Sequence, residues 1–479
     1  MLSRPLTGEW PLVRRYAAAL SLALCALLGC HNITTSLEGP LLNVRRDTPI
    51  DDPDQIDQWP GWRGGLAHGV SPALSLPTKW SRREHVRFAT EVPGRGHSSP
   101  AVWGDAIFLT SVVGQGHRAQ LALLKIQRDD GQIEWQRQLG QPIGTPHLKH
   151  GHASATTATD GERVYAYFGA KGLFCFDFDG NRLWHQPLAE QSHEWGTSSS
   201  PVIAGGLVLQ LCDSQDESFL LAFDKLTGEI VWRTTRDSHA CWTTPVIMPV
   251  GDAKHGKWQV VVNGTGGRDG SNGYVSSYDL WSGAQRWHVR GTADMVCPTA
   301  IVGDGLLITA SGVSGPMLAI EMDALHSSTD PEIRWQHRSS GPCAPTGVIY
   351  HERLYVVTSD GVVSCLALDD GRTLWRQQLG SPVSASLVAG AGHVYVTAES
   401  GEVCVLRASD TYELVATSAM HELCLASPAI ADDEIFIRTE SRLFCISDKA
   451  TSGAVAAEPE IAADLSPDTV VSPSDLPVE

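Results

Sequence analysis

Basic charge is what this chain lacks most. Against 54 Asp and Glu residues stand only 36 Lys and Arg, a formal net charge of −18, and no basic block interrupts the acidic balance. Phosphate binding depends on clustered cations that displace counterions, so a nucleic-acid surface is excluded. Long apolar runs are also missing: the longest, Tyr16 to Leu28, is too short to span a bilayer. No helical periodicity persists beyond a turn or two, which removes the helical fold classes. Neither His-Glu-x-x-His nor a Gly-x-Ser-x-Gly elbow occurs, so zinc-protease and serine-hydrolase chemistry have no foothold. What remains is a 479-residue chain with 42% apolar and 19% charged residues, too mixed for a disordered or fibrous protein and long enough for a large core.

The first thirty residues carry Arg4, Arg14 and Arg15 ahead of the apolar run, the layout of an export signal. The run closes on Leu27-Leu28-Gly29-Cys30, which resembles the lipobox of bacterial lipoproteins; on that resemblance Cys30 becomes the acylated mature N-terminus. A plain cleaved signal or an uncleaved anchor is the alternative. Residues 1–29 are therefore expected to be a signal peptide, 30–58 a tether, and 449–479 a disordered acidic tail. With Cys25 and Cys30 in the signal, nine cysteines remain of eleven, an odd number that argues against a full disulfide framework. Cys175, Cys365, Cys404 and Cys445 are expected in one repeated strand ahead of a turn, and Cys241, Cys343 and Cys424 in another, as small buried hydrophobes.

Self-similarity organises the rest. An apolar strand, a Gly turn, a second strand and an Asp-rich turn lead to a short strand ending in Trp: DDGQIEW at Trp135, DFDGNRLW at Trp184, DKLTGEIVW at Trp232, DLWSGAQRW at Trp287 and DDGRTLW at Trp375. Trp335 closes a less regular copy and Val415 a weak one without Trp. These closing positions lie 49, 48, 55, 48, 40 and 40 residues apart. Asp and Gly supply the turn hydrogen bonding and positive φ that tight hairpins demand. Each Trp is expected to bury its ring against a neighbouring sheet. An eighth copy begins near Met420 but lacks its last strand, which HVRFATEV at residues 85–92 can supply, with Phe88 in the Trp position. The expected fold is all-β: an eight-bladed β-propeller of four-stranded antiparallel blades over 59–448, its ring closed by pairing of N- and C-terminal strands, with seven blades as the fallback.

Those copies, with the Ser-Pro strand starts at Ser99, Ser200 and Ser427, resemble the PQQ-like β-propeller repeat family over about 80–448. The opening WPGWRGGLAHGVSPALSLPTKW and the lipobox resemble its BamB-like branch of envelope lipoproteins. That branch implies a non-catalytic scaffold or binding lipoprotein with envelope protein partners, outer-membrane β-barrel assembly components among them. It further implies a monomer held to the membrane by its lipid alone, on the periplasmic side of the outer membrane; His31 after the cysteine resembles outer-membrane sorting. The other branch, quinoprotein dehydrogenases, implies pyrroloquinoline quinone with calcium on the propeller axis. This sequence has no adjacent cysteine pair, which that branch places over the cofactor, and offers no matching calcium ligands or catalytic aspartate. No cofactor, no metal and no catalytic residue is therefore expected, with a quinone- or metal-dependent oxidoreductase and a sugar-like ligand module as the alternatives.

One constellation invites a site. His97, then His147, His150 and His152, then His193 and Trp195, then His239 and Trp242 precede successive first strands, so they should converge on one channel mouth. His97, His152, His193, Trp195, His239 and Trp242 are the ligand candidates, against the plainer reading of solvated loop histidines. Asp213, Asp216 and Glu217 lack the ordered spacing of a calcium loop and read as an acidic turn. NGTGGRDGSNG at 263–273 reads as an inserted hairpin loop.

Overall fold

Four strands recur eight times. The computed structural model describes residue 50 and residues 58–449, apart from 82–83, 145–148, 150, 189–192, 194, 251–256, 267–272, 294, 313–314, 323–331 and 340. The expected signal, Cys30, most of the tether, the tail from 450, and His147 and His150 lie outside the described residues. Described strands sort into eight four-stranded antiparallel sheets, an eight-bladed propeller. Blade 1 spans 101–138, blade 2 158–186, blade 3 202–236, blade 4 246–292, blade 5 301–337, blade 6 348–378 and blade 7 388–419. Blade 8 takes three strands from 429–446 and its outermost strand, Val86–Glu91, from the other end of the chain.

Burial follows from this stacking. First strands are short, such as Ala158–Thr159 and Val246–Pro249, and those of neighbouring blades lie against one another around the axis. Middle strands such as Leu207–Cys212 and Glu434–Arg438 are buried at every position, because a blade is covered on both faces by its neighbours. Outer strands such as Ile333–His337 bury little except the Trp. Cys175, Cys365, Cys404 and Cys445 all sit in third strands. Cys241, Cys343 and Cys424 lie in no strand; they occupy the segments leading into first strands, where the chain bends toward the axis.

The Trp positions are set by a bulge. In blade 2, Trp184 faces Cys175 while Arg182 faces Phe176, so Leu183 is skipped and bulges outward. The same shift precedes Trp135, Trp232, Trp287, Trp335 and Trp375. In blade 8 it skips Arg87 and puts Phe88 opposite Cys445. In blade 7 it skips Val415, so Ala416, one residue beyond the expected closing position, occupies the slot. The indole N–H groups of Trp135, Trp184, Trp232, Trp335 and Trp375 donate to carbonyls of the next blade at Phe178, Lys225, Leu280, Leu368 and Ser409, at 2.9 to 3.2 Å. Trp287 instead donates to Gln259 Oε1 of its own blade at 3.0 Å. The ring faces meet the glycine of the next Asp-rich turn: a Cβ on Gly228 (φ +76) would lie 2.6 Å from Trp184, and one on Gly283 (φ +69) 2.5 Å from Trp232. Glycine is required there by both conformation and space.

Ring closure is clipped by charge. Val86–Glu91 pairs antiparallel with Arg442–Ile446, and Glu434, only 1% exposed, receives Arg87 Nη1 at 2.5 Å and Arg128 Nε at 2.8 Å. One buried carboxylate thus joins blade 8, the N-terminal strand and blade 1. Removing one member of a buried ion pair leaves uncompensated charge, so Glu434→Ala should lose about 3–5 kcal/mol of unfolding free energy in urea titrations. A loss under about 1 kcal/mol, the scale of an exposed pair, would show that the strand pairing closes the ring unaided.

Candidate functional site

Eight hydroxyl residues stand two positions ahead of the eight first strands: Ser99, Thr156, Ser200, Thr244, Thr299, Thr346, Ser386 and Ser427. Each of the first seven donates its backbone N–H to the next hydroxyl. Ser99 reaches Thr156 Oγ1 at 2.9 Å, Thr156 reaches Ser200 Oγ at 3.0 Å, Ser200 reaches Thr244 Oγ1 at 3.1 Å and Thr244 reaches Thr299 Oγ1 at 2.9 Å. Thr299 reaches Thr346 Oγ1 at 3.0 Å, Thr346 reaches Ser386 Oγ at 3.0 Å and Ser386 reaches Ser427 Oγ at 2.9 Å. All eight are buried. This girdle satisfies backbone donors that would otherwise face the channel unpaired. Proline follows Ser99, Ser200, Thr244 and Ser427, where it presents no N–H to leave orphaned.

The girdle surrounds an axial cavity of about 330 Å³ lined by the segments that lead into all eight blades and by Trp62. Trp62 also lines a second cavity of about 220 Å³, so its loop forms the floor between the two. It belongs to a strap, residues 59–81. Trp59 exchanges backbone hydrogen bonds with Val102 of blade 1 at 3.0 and 2.7 Å, and Thr159 of blade 2 donates to the Pro60 carbonyl at 2.8 Å. Farther on, Ser71 donates to Ala389 of blade 7 at 2.8 Å, and Tyr395 to the Pro77 carbonyl at 3.1 Å. Between these anchors Arg63 is fully buried, its Nη2 donating to the carbonyls of Gly347 at 2.5 Å and Leu387 at 3.3 Å. Burial pulls this guanidinium down to about 9. It is held by carbonyls of blades 6 and 7, which latch the strap.

At the mouth, the structure brings three of the six ligand candidates onto the cavity wall: His97, Trp195 and Trp242. The two indoles stack with centroids 5.1 Å apart and planes 25° apart, and Trp242 Nε1 donates to the Gly196 carbonyl at 2.8 Å. His193 stands behind them, edge-on to Trp242 at 5.8 Å, with Nε2 2.5 Å from the Asp213 carbonyl oxygen. Burial lowers its pKa, which favours a neutral ring. His152 and His239 do not line the cavity; burial lowers the pKa of His152, and the His239 backbone donates to Gly266 at 3.2 Å. Asp213 is buried against Arg236 (2.9 and 3.2 Å) and accepts from Cys241 Sγ at 3.1 Å, while Glu217 pairs with Arg233 at 2.6 Å. Both carboxylates are thus committed to structure.

Among the described lining residues the ionisable side chains are His97, Lys149 and Cys297, with no Asp or Glu. Glu399 lies just outside, held by Lys149 Nζ at 2.9 Å and Ser384 Oγ at 2.6 Å. No group of three or more His, Cys, Asp or Glu among the described residues is arranged to hold a metal. Indole faces and hydroxyl donors suit a flat or ring-shaped ligand. A calcium ion needs six to eight oxygens, commonly including carboxylates, so the described lining does not fit the quinone and calcium pair.

Eight blades around a hydroxyl girdle, with a strapped floor and a single aromatic mouth, define a propeller of the PQQ-like repeat class. The family model described as outer membrane protein assembly factor BamB matches residues 78–208, 122–360 and 359–457, and the chain belongs to that family. It is similar to outer membrane protein assembly factor BamB of Yersinia pestis, at 22% identity over 367 residues, covering 69% of this chain and 84% of the relative. It is also similar to polyvinylalcohol dehydrogenase of a Pseudomonas species, at 23% identity over 431 residues. That match covers 73% of this chain but only 63% of the dehydrogenase, less than two thirds of its length. Among solved structures, quinohemoprotein alcohol dehydrogenase from Comamonas testosteroni superposes with a TM-score of 0.61 at 10% identity, covering 86% of this chain and 83% of that one, a likeness of fold.

The sequence reading missed the girdle, although the Ser-Pro and Thr-Pro pairs marked half of it. Thr244→Val removes the acceptor of the Ser200 N–H while keeping side-chain shape. It should destabilise the propeller by about 1–3 kcal/mol, the cost of a buried unpaired donor. Unchanged unfolding together with unchanged amide exchange at Ser200 would mean the girdle bond is incidental.

Proposed function

We propose that this chain is a non-catalytic propeller of the bacterial cell envelope that binds other envelope proteins, outer-membrane β-barrel assembly components among them, and is anchored through a lipid on Cys30. The observation that carries this reading is the family match, which runs through every blade. Coverage supports it: the chain spans 84% of the assembly-factor relative and 63% of the dehydrogenase. The described cavity lining is built mainly of hydroxyls and indoles, a surface suited to binding. An acidic surface, at a net charge of −18, suits partners that present basic patches. Affinity purification of the full chain from crosslinked envelopes should recover β-barrel assembly components by mass spectrometry. Cys30→Ser should move the chain from the membrane to the soluble fraction. A membrane-bound wild-type chain that crosslinks to no assembly component would refute the partner assignment.

A second reading rests on the stacked pair Trp195 and Trp242 at the mouth of the axial cavity. In it, the cavity holds a small sugar-like ligand against the indoles and girdle hydroxyls. Thermal-shift and tryptophan-fluorescence titrations with a panel of mono- and disaccharides should give saturable stabilisation that Trp195→Ala and Trp242→Ala abolish. Stoichiometric binding of pyrroloquinoline quinone with calcium in the same assay would favour the oxidoreductase alternative instead. No response from either probe set would leave the scaffold alone.

A further inference from the structure

Two of the nine described cysteines meet at the axial cavity on neighbouring segments. Cys241 donates to the Asp213 carboxylate and Cys424 to the Arg438 carbonyl, both at 3.1 Å, and Cys212 packs 3.7 Å from the Tyr167 hydroxyl. Four more sit in third strands, with Cys175, Cys365 and Cys445 buried and Cys404 partly exposed. Cys297 and Cys343, like Cys241 and Cys424, lie on segments that lead into first strands, here the neighbouring Ile301–Gly303 of blade 5 and Val348–Tyr350 of blade 6. Both are partly exposed. Cys297 itself lines the axial cavity, and so does Ala344, the residue after Cys343. Just beyond, the Thr299 N–H to Thr346 Oγ1 bond ties the same two segments at 3.0 Å. Burial pushes the Cys297 thiol up to about 12, and the nearness of Cys343 adds to the rise.

We propose that Cys297 and Cys343 form a disulfide bond that joins blades 5 and 6 across the lip of the axial cavity. A disulfide takes a Cα separation of about 5–6 Å. The Thr299 to Thr346 bond, two and three residues beyond the cysteines, holds the two segments side by side. The oxidant is a disulfide, either a small one such as oxidised glutathione or that of a thiol–disulfide oxidoreductase. The Cys343 thiolate, the less buried of the two, attacks one oxidant sulfur; the oxidant S–S bond breaks and its first thiolate leaves. The Cys297 thiolate then attacks Cys343 Sγ, closing the intramolecular bond and expelling the second thiolate. Two cysteine protons pass through water to the two released thiolates, so two cysteine thiols are oxidised and the oxidant disulfide is reduced to two thiols. The bond fixes the cavity lip on blades 5 and 6, on the same girdle as the Trp195 and Trp242 wall of blades 3 and 4. The elevated thiol pKa values make closure slow at neutral pH and faster in mild alkali.

The test is differential alkylation of the folded full chain, before and after incubation with oxidised glutathione at mildly alkaline pH, followed by peptide mass spectrometry. Cys297 and Cys343 should lose alkylation together, appear in one crosslinked peptide pair, and regain alkylation after dithiothreitol. Cys343→Ser should leave Cys297 as a thiol or a glutathione mixed disulfide, with no intramolecular link. Oxidation should raise the thermal midpoint of the wild type and leave that of Cys343→Ser unchanged. Alkylation of both residues unaltered by oxidant, or pairing of either with a different cysteine, would overturn the proposal. None of these outcomes depends on the identity of an assembly partner or ligand.

Discussion

Each blade is a small sheet with two apolar faces, so it needs a neighbour on both sides, and that need propagates until the eighth blade meets the first. A single sheet such as Val202–Ala204 through Ile230–Arg236 cannot bury Leu207–Cys212 on both faces by itself. Only a closed ring removes the last pair of uncovered faces. Closure therefore governs the rest: the N-terminal strand must return to pair with Arg442–Ile446, and the seam must hold the buried charge of Glu434 between Arg87 and Arg128. Trp and Gly provide the repeating joint around the rim, while hydroxyl and amide provide it around the axis.

The axis has its own accounting of hydrogen bonds. First strands converge where no further strand can pair with them, and the girdle hydroxyls and following prolines dispose of the donors that this leaves. The same convergence opens a cavity, and the strap closes one end of it with Trp62 and the carbonyl-held Arg63. The strap also makes up for a missing joint. Where Ala416 leaves blade 7 without an outer indole, Trp80 from the strap donates its backbone N–H to Ser418 Oγ at 2.9 Å and is buried in the core shared by blades 7, 8 and 1.

The closing motifs at Trp135, Trp184, Trp232, Trp287 and Trp375 made the repeat legible, because turn chemistry and a large docking residue must recur wherever the same joint is built. Phe88 was legible by spacing alone. The bulge was not: skipping one residue before each Trp has no residue signature, and without a Trp the seventh copy's spacing points to Val415 where the structure has Ala416. The mouth was legible in direction but not in membership. His97, Trp195 and Trp242 share the wall, yet His193 turned inward to the Asp213 carbonyl and His239 stayed off it, because backbone path decides which side of a short loop faces the channel.

By itself the sequence determined the class of fold and the number of its units, since period, turn residues and strand alternation are local properties that the chain must display in order. It also determined the closing position of the blades that carry a Trp or Phe there. Tertiary structure alone decided what the repeats build together: a hydroxyl ring contributed one residue at a time from eight blades, a strap latched by a buried arginine on carbonyls far away in sequence, and Cys297 at the axial cavity with Cys343 near it. Those features exist only after the ring closes, because each depends on side chains from separate repeats meeting around an axis that no single repeat contains.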